Sequence, residues 1–297
     1  PSRNIRLVVG YSPGGTTDIA ARLVAERLSA RLGKQVIVEN RAGAGGTVAT
    51  LSVVRAEPDG YTLLMAAAPE VSIAPFTIKG LAYDPLVDLQ PVAMVGSVLF
   101  LLVTHPQLPV SSVAELIAYA KKNPGKLNYG STGSGSSNHL SMELLMSMTG
   151  IKLTHVPYKG AAPAITDLVG CQTDYMFSTP QSVLGMLQGG KLRALAVTST
   201  QRLKVLPQVP TVAEQGYKGF EAVDWKMVVA PANTPTPVLR RLNAAAEKVL
   251  NSASFMAQMA AEGSTPIGGN LEKIAAYLKA EQSEWGDLIR EAGIKFD

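Results

Sequence analysis

Short apolar segments alternate with amphipathic segments along nearly the whole chain of 297 residues. The apolar segments, rich in Val, Leu and Ile, have the character of buried strands, and the segments between them repeat their apolar residues at the spacing of one helix face. This alternation favours α/β lobes with mostly parallel sheets. The predicted strands are Arg6–Val9, Gln35–Val38, Tyr61–Met65, Leu99–Val103, Asn128–Tyr129, Lys152–Val156, Thr173–Phe177, Leu192–Val197 and Met227–Val229, and the predicted helices are Asp18–Leu32, Val113–Ala120, His139–Met148, Pro237–Leu250 and Leu271–Ala292.

The length of the chain favours two lobes, because 46% hydrophobic and 17% charged residues supply enough apolar surface for two cores. A new run of strands and helices begins after Gly96-Ser97, and residues 217–226 precede a final strand and two long helices. We therefore predict that lobe one contains residues 1–100 and 225–297 and that lobe two contains residues 101–224. The crossovers, near 97–103 and 221–229, are predicted to act as a hinge.

Composition argues against several classes of protein. The longest apolar stretches, such as Val92–Val103, are too short to span a bilayer, for which about 20 residues are needed. Lys and Arg total 27 against 23 Asp and Glu, but they are scattered and form no basic run with interleaved aromatics, so nucleic acid is not an expected partner. The single cysteine, Cys171, allows neither an internal disulfide nor a thiolate metal site.

Two glycine-rich loops follow predicted strands and precede predicted helices. Loop one is Gly10–Asp18, and loop two is Gly130–His139. Each offers hydroxyl groups and unhindered amides at a helix N-terminus, where four N–H groups lack helical partners and the helix dipole favours an anion. Ligands of open α/β sheets bind at the carboxyl ends of strands, where both loops are expected. The loops therefore predict an anion site that needs no Arg or Lys, although each loop alone is also compatible with a simple capped turn.

Nucleotide-binding motifs are missing from the sequence, and its histidines have no recognisable catalytic partner. Neither loop has the Lys-Ser/Thr pair of a P-loop or the G-x-G-x-x-G spacing, and a third glycine segment, Gly43–Thr47, also lacks the lysine. His105, His139 and His155 have neither an evident Ser or Cys partner nor metal-ligand spacing. We predict no catalytic residue, no metal and no cofactor. His139 is open to three roles: ligand contact, helix capping or packing.

The chain resembles the Bug family of extracytoplasmic solute receptors, also called the TctC family, the binding components of tripartite tricarboxylate transporters. The resemblance spans nearly the whole chain. Besides both loops, it is carried by the segments Val38–Gly46, Pro58–Leu63, Tyr83–Pro85, His155–Gly160, Leu192–Thr198 and Pro210–Glu214.

The resemblance implies a type II periplasmic binding protein fold, in which two α/β lobes joined by two crossover strands close on a ligand like a Venus flytrap. It also implies that one ligand carboxylate lies between the two loops, bound by amides, hydroxyls and water. Asp18 would repel that carboxylate, so its expected role is to support the helix start and to orient water or loop amides. The implied contacts are Tyr11, Ser12, Gly14, Gly15, Thr16, Thr17 and Asp18 in loop one, and Ser131, Thr132, Gly133, Ser136 and His139 in loop two.

The rest of the implied pocket is expected to choose the ligand. Where family members frequently have Asp or Asn, this chain has Ser178, and Asp224 replaces a small or hydroxyl residue. These departures favour a small aliphatic or aromatic mono- or dicarboxylic acid over a tricarboxylate. Lys159 is either a counter-charge or a solvated lysine, and Trp225 either stacks on a ligand or anchors the crossover. The implied positions are Ala67 and Ala68 in the loop 66–70, Tyr158, Phe177 and Ser178, and Trp225.

The function implied by the resemblance is that of a monomeric periplasmic binding protein, not an enzyme, that delivers its ligand to membrane transporter subunits. The chain starts at Pro1 without an apolar leader, as a processed or trimmed chain does. One alternative is a partner that presents its ligand to a membrane sensor kinase. Another is a carboxylate-processing enzyme on the same fold, for which the sequence offers only Asp18 and His139, not spaced as a recognisable pair.

Overall fold

The computed structural model describes residues 1–261 and 264–291. Within these ranges the chain forms two compact units. The first unit contains Pro1–Ser97 and Trp225–Glu291, and the second contains Val98–Asp224. No described helix has the length and apolar character needed to cross a bilayer.

Strands and helices alternate through most of both units. The strands are β1 (Ile5–Val9), β2 (Val36–Asn40), β3 (Thr62–Ala67), β4 (Leu89–Leu99), β5 (Leu101–Thr104), β6 (Asn128–Ser131), β7 (Thr154–Pro157), β8 (Tyr175–Ser178), β9 (Arg193–Val197), β10 (Val223–Pro231) and β11 (Ser264–Pro266). The helices are α1 (Thr16–Leu32), α2 (Thr47–Val54), α3 (Ala74–Thr77), α4 (Pro85–Asp88), α5 (Val113–Lys122), α6 (Ser137–Thr149), α7 (Ala161–Val169), α8 (Pro180–Gln188), α9 (Thr236–Leu250), α10 (Ala253–Ala261) and α11 (Leu271–Glu291). A 3-10 turn (Ala44–Gly46) precedes α2, and a π-helical turn (Pro69–Ile73) precedes α3.

Each unit is built on a mixed sheet, in the order β11-β4-β10-β3-β1-β2 in the first unit and β7-β6-β8-β5-β9 in the second. Strand β1 pairs parallel with β2 and β3, and β6 pairs parallel with β7 and β8. The prediction of mostly parallel sheets is wrong for β10, which runs antiparallel to β3, and for β5, which runs antiparallel to β8 and β9. Neither β5 nor β10 directly follows a crossover helix, the usual connection that makes two strands parallel.

The core of each unit lies against its sheet. In the first unit, Leu7, Leu63 and Val228 are buried in one cluster with apolar residues of α1 and α9. In the second unit both faces of the sheet are covered, so that Leu102 packs in one cluster while Leu101 and Val103 pack in another. A strand buried on both faces has no polar alternation, which is why β5 appears in the sequence as an uninterrupted apolar run.

Strand β4 was not predicted from the sequence, in which Gly96 and Ser97 interrupt the apolar pattern. In the structure Gly96 lies inside β4, and a Cβ there would be 2.6 Å from the carbonyl oxygen of Thr265 on β11. The glycine therefore permits a close approach of two strands. Helix α7 was also missed, and the predicted helix end at Ala292 falls outside the described residues.

Helices α1 and α6 are each bounded by glycines or small polar residues. The last turn of α1 ends at Gly33, with φ 68°, and the last turn of α6 ends at Gly150, with φ 69°. A left-handed residue that ends a helix is usually glycine, because a side chain is strained there. The N-caps are Gly15 for α1 and Ser136 for α6.

Candidate functional site

Loop one joins the carboxyl end of β1 to the start of α1. Residues Ser12–Gly15 are exposed, whereas Thr17 and Asp18 are buried. The N-cap residue, Gly15, has no side chain that can accept a hydrogen bond from the first-turn amides of α1. These amides lie at the positive end of the helix dipole, so an anion from outside the loop can take the place of a capping side chain.

Asp18 is a fixed part of loop one. Its Oδ2 accepts hydrogen bonds from the amide of Gly14 and from Nε of Arg22, both at 2.9 Å, and its Oδ1 accepts from Nδ2 of Asn40 at 2.9 Å. Burial pushes the pKa of Asp18 upward, but the bonds from Arg22, Gly14 and Asn40 outweigh it and leave the pKa below its ordinary value. Asp18 therefore remains ionised and orients a loop amide, which is no longer available to a ligand.

The third glycine segment, Gly43–Thr47, packs against the start of loop one. A Cβ on Gly10 would be 2.6 Å from Cα of Gly46, so the two backbones touch. Gly46 in turn lies against the carboxyl group of Glu70, which would be 3.0 Å from a Cβ on Gly46. The hydroxyl of Tyr11 donates to Oε2 of Glu70 at 2.5 Å. The third glycine segment therefore packs against both loop one and Glu70.

Loop two joins β6 to α6 and is organised by Asn138. Its Oδ1 accepts from the amide and the hydroxyl of Thr132, at 3.3 and 3.1 Å, and its Nδ2 donates to the carbonyl of Phe177 at 3.1 Å. The hydroxyl of Ser136 lies 2.6 Å from both the carbonyl of Gly133 and Oδ1 of Asn138. Since Ser136 bonds within the loop and does not cap α6, the first-turn amides of α6 also lack a side-chain cap.

Two histidines lie beneath loop two. The rings of His139 and His155 stack with centroids 3.9 Å apart and an interplanar angle of 8°, and Tyr129 stacks on His155 at 4.9 Å. Nδ1 of His139 accepts from the amide of Gly135 at 3.0 Å. The side chain of His139, 6% exposed, therefore both packs and holds the loop.

The sequence shows no evident serine partner for the histidines, but in the structure His155 pairs with a serine. The hydroxyl of Ser131 lies 2.6 Å from Nε2 of His155. The pair is 24 residues apart in sequence and is brought together by the parallel pairing of β6 with β7, in which Tyr129 is opposite His155 and Ser131 opposite Pro157. Because Ser131 is fully buried, the pair holds loop two in place.

A carboxylate completes the histidine stack. Glu143 accepts a hydrogen bond from the hydroxyl of Tyr129 at 2.5 Å, and Nε2 of His139 is 3.6 Å from the same oxygen. Burial raises the pKa of Glu143, but the bonds from His139 and Tyr129 outweigh it and leave the pKa below its ordinary value. Burial, together with the charge of His139, lowers the pKa of His155 to about 4. The stack is therefore built around a neutral His155 at neutral pH.

The other predicted ligand contacts divide between the two units. Ala67 and Ala68, at the end of β3, are fully buried. Tyr158 lies against loop two, since its amide donates to the carbonyl of Ser131 at 3.0 Å, and its hydroxyl donates to Asp167 at 2.7 Å. The hydroxyl of Ser178 is buried and has no hydrogen-bond partner among the described residues.

The aromatic side chains of Phe177 and Trp225 are buried inside their own units. Phe177 is fully buried and stacks on Phe220 with centroids 6.2 Å apart. Trp225 is also fully buried, and its indole N–H donates to Oε1 of Glu281 at 2.7 Å. The indole ring of Trp225 therefore packs inside the first unit, at the point where the chain returns to it.

Two charged residues of the expected pocket lie in the second unit. Lys159 is exposed. Asp224 is 9% exposed, and its Oδ1 is 3.3 Å from the hydroxyl of Ser137 in the first turn of α6. Within the described ranges, no three His, Cys, Asp or Glu side chains are grouped as around a metal ion.

Sequence reasoning missed several supporting residues. Asn40 was considered only as part of a family motif, Asn138 only as a member of loop two, and His155 as part of a motif and as a histidine without an evident partner. All three are polar residues at or next to strand ends and helix starts, which is a weak signal on its own. Their partners, Asp18, Ser131 and Thr132, are brought to them by strand pairing and loop closure.

The chain is similar to several known proteins along nearly its whole length. The family described as tripartite tricarboxylate transporter family receptor matches residues 20–294 of the chain. Protein BugT of Bordetella pertussis is 37% identical over 99% of this chain and 91% of its own length. A Rhodopseudomonas palustris protein solved with adipate is 37% identical, with a TM-score of 0.92 over 100% of this chain and 99% of its own. MatC from the same organism, solved with bound malate, is 32% identical, with a TM-score of 0.87 over 97% of this chain and 99% of its own.

Proposed function

The chain belongs to the tripartite tricarboxylate transporter family of receptors, and from this we propose that it captures a small carboxylate in the periplasm. The ligand is an aliphatic or aromatic mono- or dicarboxylic acid, taken up between the two lobes and delivered to a tripartite tricarboxylate-type membrane transporter. The receptor acts as a monomer and performs no chemical step. Its two lobes correspond to residues 1–100 with 225–297 and to residues 101–224.

The observation that carries this proposal is the pair of helix starts without side-chain caps. In loop one the N-cap is Gly15, and in loop two Ser136 turns its hydroxyl to Gly133 and Asn138. Both loops lie at the positive end of a helix. Two such ends, one from each lobe, can share the oxygens of one carboxylate, and they need no cationic side chain.

The relatives support an aliphatic dicarboxylate as the first choice of ligand. Two structures 37% and 32% identical to this chain were solved with adipate and malate, respectively. The buried hydroxyl of Ser178 has no partner among the described residues, and a buried hydroxyl gains from a ligand hydrogen bond. We assign it to the part of the ligand away from the loops.

The proposed contacts follow the predicted set, with different roles for different members. Loop amides and hydroxyls bind the first carboxylate, and Ala67, Ala68, Tyr158 and Ser178 shape the rest of the pocket. Phe177 and Trp225 support the residues that line the pocket and do not touch the ligand, because their rings are buried in their own units. The proposed loop residues are Tyr11, Ser12, Gly14, Gly15, Thr16 and Thr17 from loop one, with Asp18 supporting the loop through the Gly14 amide, and Ser131, Thr132, Gly133, Ser136 and His139 from loop two.

A thermal-shift screen tests the proposal. The panel contains adipate, malate, citrate, aromatic acids, amino acids and sugars, with adipamide as the uncharged match for adipate. A ligand at about 100 times its Kd adds about 2.7 kcal/mol to the free energy of unfolding. We expect a rise in Tm with carboxylates that disappears when the acid is amidated. A response to sugars alone contradicts the proposal.

Two glycines that flank helix α1 give a pair of matched variants. Gly14 and Gly33, before and after α1, have φ of 83° and 68°, and neither has an atom within 4 Å of a built Cβ. Alanine therefore costs about 1–2 kcal/mol of strain at either site, but it alters loop one only at Gly14. We expect Gly14→Ala to weaken carboxylate binding and Gly33→Ala to leave it unchanged. Equal effects on binding would show that Gly14 is only a structural turn.

A further inference from the structure

Glu70 is a fully buried carboxylic acid beside loop one. It belongs to the π-helical turn after β3, and its Oε1 accepts a hydrogen bond from the amide of Ala67 at 2.8 Å. Its Oε2 is 2.5 Å from the hydroxyl of Tyr11, which is itself 3.4 Å from the carbonyl of Gly45. Glu70 thus links the end of β3, loop one and the third glycine segment.

The charged and titratable groups around Glu70 come from several elements. Tyr11 lies on loop one, Lys226 on β10 acts on Glu70 through its charge, and the hydroxyl of Tyr83 donates to the carbonyl of Glu70 at 2.7 Å. Helix α11, which packs on the same turn, carries Glu281, another buried acid. Burial raises the pKa of Glu70 to about 7, against the opposing effects of Tyr11, the Ala67 amide and Lys226.

Both protonation states of Glu70 satisfy the local hydrogen bonds. When Glu70 is ionised, the hydroxyl of Tyr11 donates to Oε2. When Glu70 is protonated, its own O–H donates to the oxygen of Tyr11, and the hydrogen of Tyr11 can turn to the carbonyl of Gly45. Protonation therefore reverses one hydrogen bond in loop one without leaving a buried polar group unpaired.

We propose that Glu70 takes up a proton when a carboxylate binds at loop one. This inference rests on the proposed function and couples ligand binding to the uptake of a proton. A carboxylate that arrives beside Tyr11 repels the charge of Glu70, and in a buried setting like charges favour the neutral acid. The proton comes from solvent and binds to Oε2, so that one negative charge enters the site while another is neutralised.

Linkage gives the sign of the pH dependence. Since the ligand raises the pKa of Glu70 above its ligand-free value, the complex binds more protons than the free protein, and affinity falls as pH rises through that window. If the ligand raises the pKa by about one unit, from about 7, Kd increases about sixfold between pH 6.5 and pH 8.5. At pH 7 the same shift corresponds to uptake of about 0.4 proton per ligand.

Calorimetry of the full chain with adipate and with malate measures this proton directly. Binding heats are compared at pH 7 in imidazole and in cacodylate, whose ionisation enthalpies differ, so that proton uptake appears as a difference between the two buffers. We expect the difference in the native protein and its loss in Glu70→Gln. Glu281→Gln is the matched control, because it removes a buried acid that is held by Trp225, Trp285 and Tyr277 and not by loop one.

The outcomes separate the two proposals. If no carboxylate of the panel binds saturably, the proposed function is overturned and the inference falls with it. Saturable binding with equal heats in both buffers overturns only the inference. If Glu70→Gln does not fold, Tyr11→Phe replaces it: without the hydroxyl donor Glu70 is protonated before the ligand arrives, so uptake at pH 7 is expected to vanish. Uptake that persists in these variants assigns the proton to another group and contradicts the inference.

Discussion

Protonation of His155 is expected to destabilise the second unit in mildly acidic solution. Burial, and then the charge of His139, lowers the pKa of His155 from 6.5 to about 4, against the opposing charge of Glu143. In the unfolded chain the imidazole has its ordinary pKa. Between the two values the unfolded chain binds more protons than the folded one, so the free energy of unfolding falls as pH falls through this window.

The size of the effect follows from the two pKa values. A group with pKa 6.5 when unfolded and about 4 when folded removes about 2 kcal/mol from the free energy of unfolding between pH 7.5 and pH 5. The carboxylates with lowered pKa, such as Asp18 and Glu143, lose their contributions at still lower pH, as the pH falls below the ordinary values of about 4. Glu70, with its pKa raised to about 7, titrates in the same window with the opposite sign, so the imidazole is isolated only by comparing the pH dependence of the native protein with that of a His155 variant.

Urea unfolding of the native protein and of His155→Gln at pH 7.5 and pH 5 tests this. Glutamine can still accept a hydrogen bond from Ser131 but does not titrate. The variant is less stable at pH 7.5, because it loses the stack on His139, yet its loss between the two pH values is expected to be smaller by about 2 kcal/mol. His105→Gln leaves the stack intact and serves as the control. Equal pH dependence in the native protein and His155→Gln refutes the reasoning.

Three further substitutions test the supports of the site. Gly10→Ala puts a Cβ 2.6 Å from Cα of Gly46, and urea unfolding is expected to show a loss of about 1–3 kcal/mol. Asn138→Ala leaves the amide of Thr132 without its acceptor, which is expected to cost about 1–3 kcal/mol and to speed hydrogen exchange in loop two. Trp225→Phe removes one indole N–H bond to a buried carboxylate, and we expect a loss of about 1–3 kcal/mol. Unchanged stability in any of them contradicts the corresponding contact.

Local sequence patterns predicted the elements whose ends are marked by clear capping residues or by a continuous apolar run. Helix α1 was expected at Asp18–Leu32 and begins two residues earlier, at Thr16, because glycine at the N-cap gives no side-chain signal for the start. Strand β5 was expected at Leu99–Val103 from its apolar run and lies at Leu101–Thr104, two residues later at its start and one at its end. Strand β4 was missed because Gly96 was taken for an interruption, whereas its reason is the approach of β11 from a distant part of the chain.

The candidate site, too, was predicted only in part from the sequence. Loop one and loop two were identified from the sequence, because glycines and hydroxyl residues between a strand and a helix are a local pattern. The partners that fix these loops were not, since the contacts between Asp18 and Asn40 and between Thr132 and Asn138 depend on side-chain directions that no spacing rule reports.

The sequence by itself determined the α/β class, the positions of the two loops and the family to which they belong, because each of these depends on residues close together in the chain. Tertiary structure alone decided the antiparallel directions of β5 and β10, the pairing of Ser131 with His155, and the burial of Glu70 between β3, loop one and the third glycine segment. These features depend on which distant segments touch. Burial and strand pairing, which bring such segments together, also set the charge of each acid and imidazole at the site.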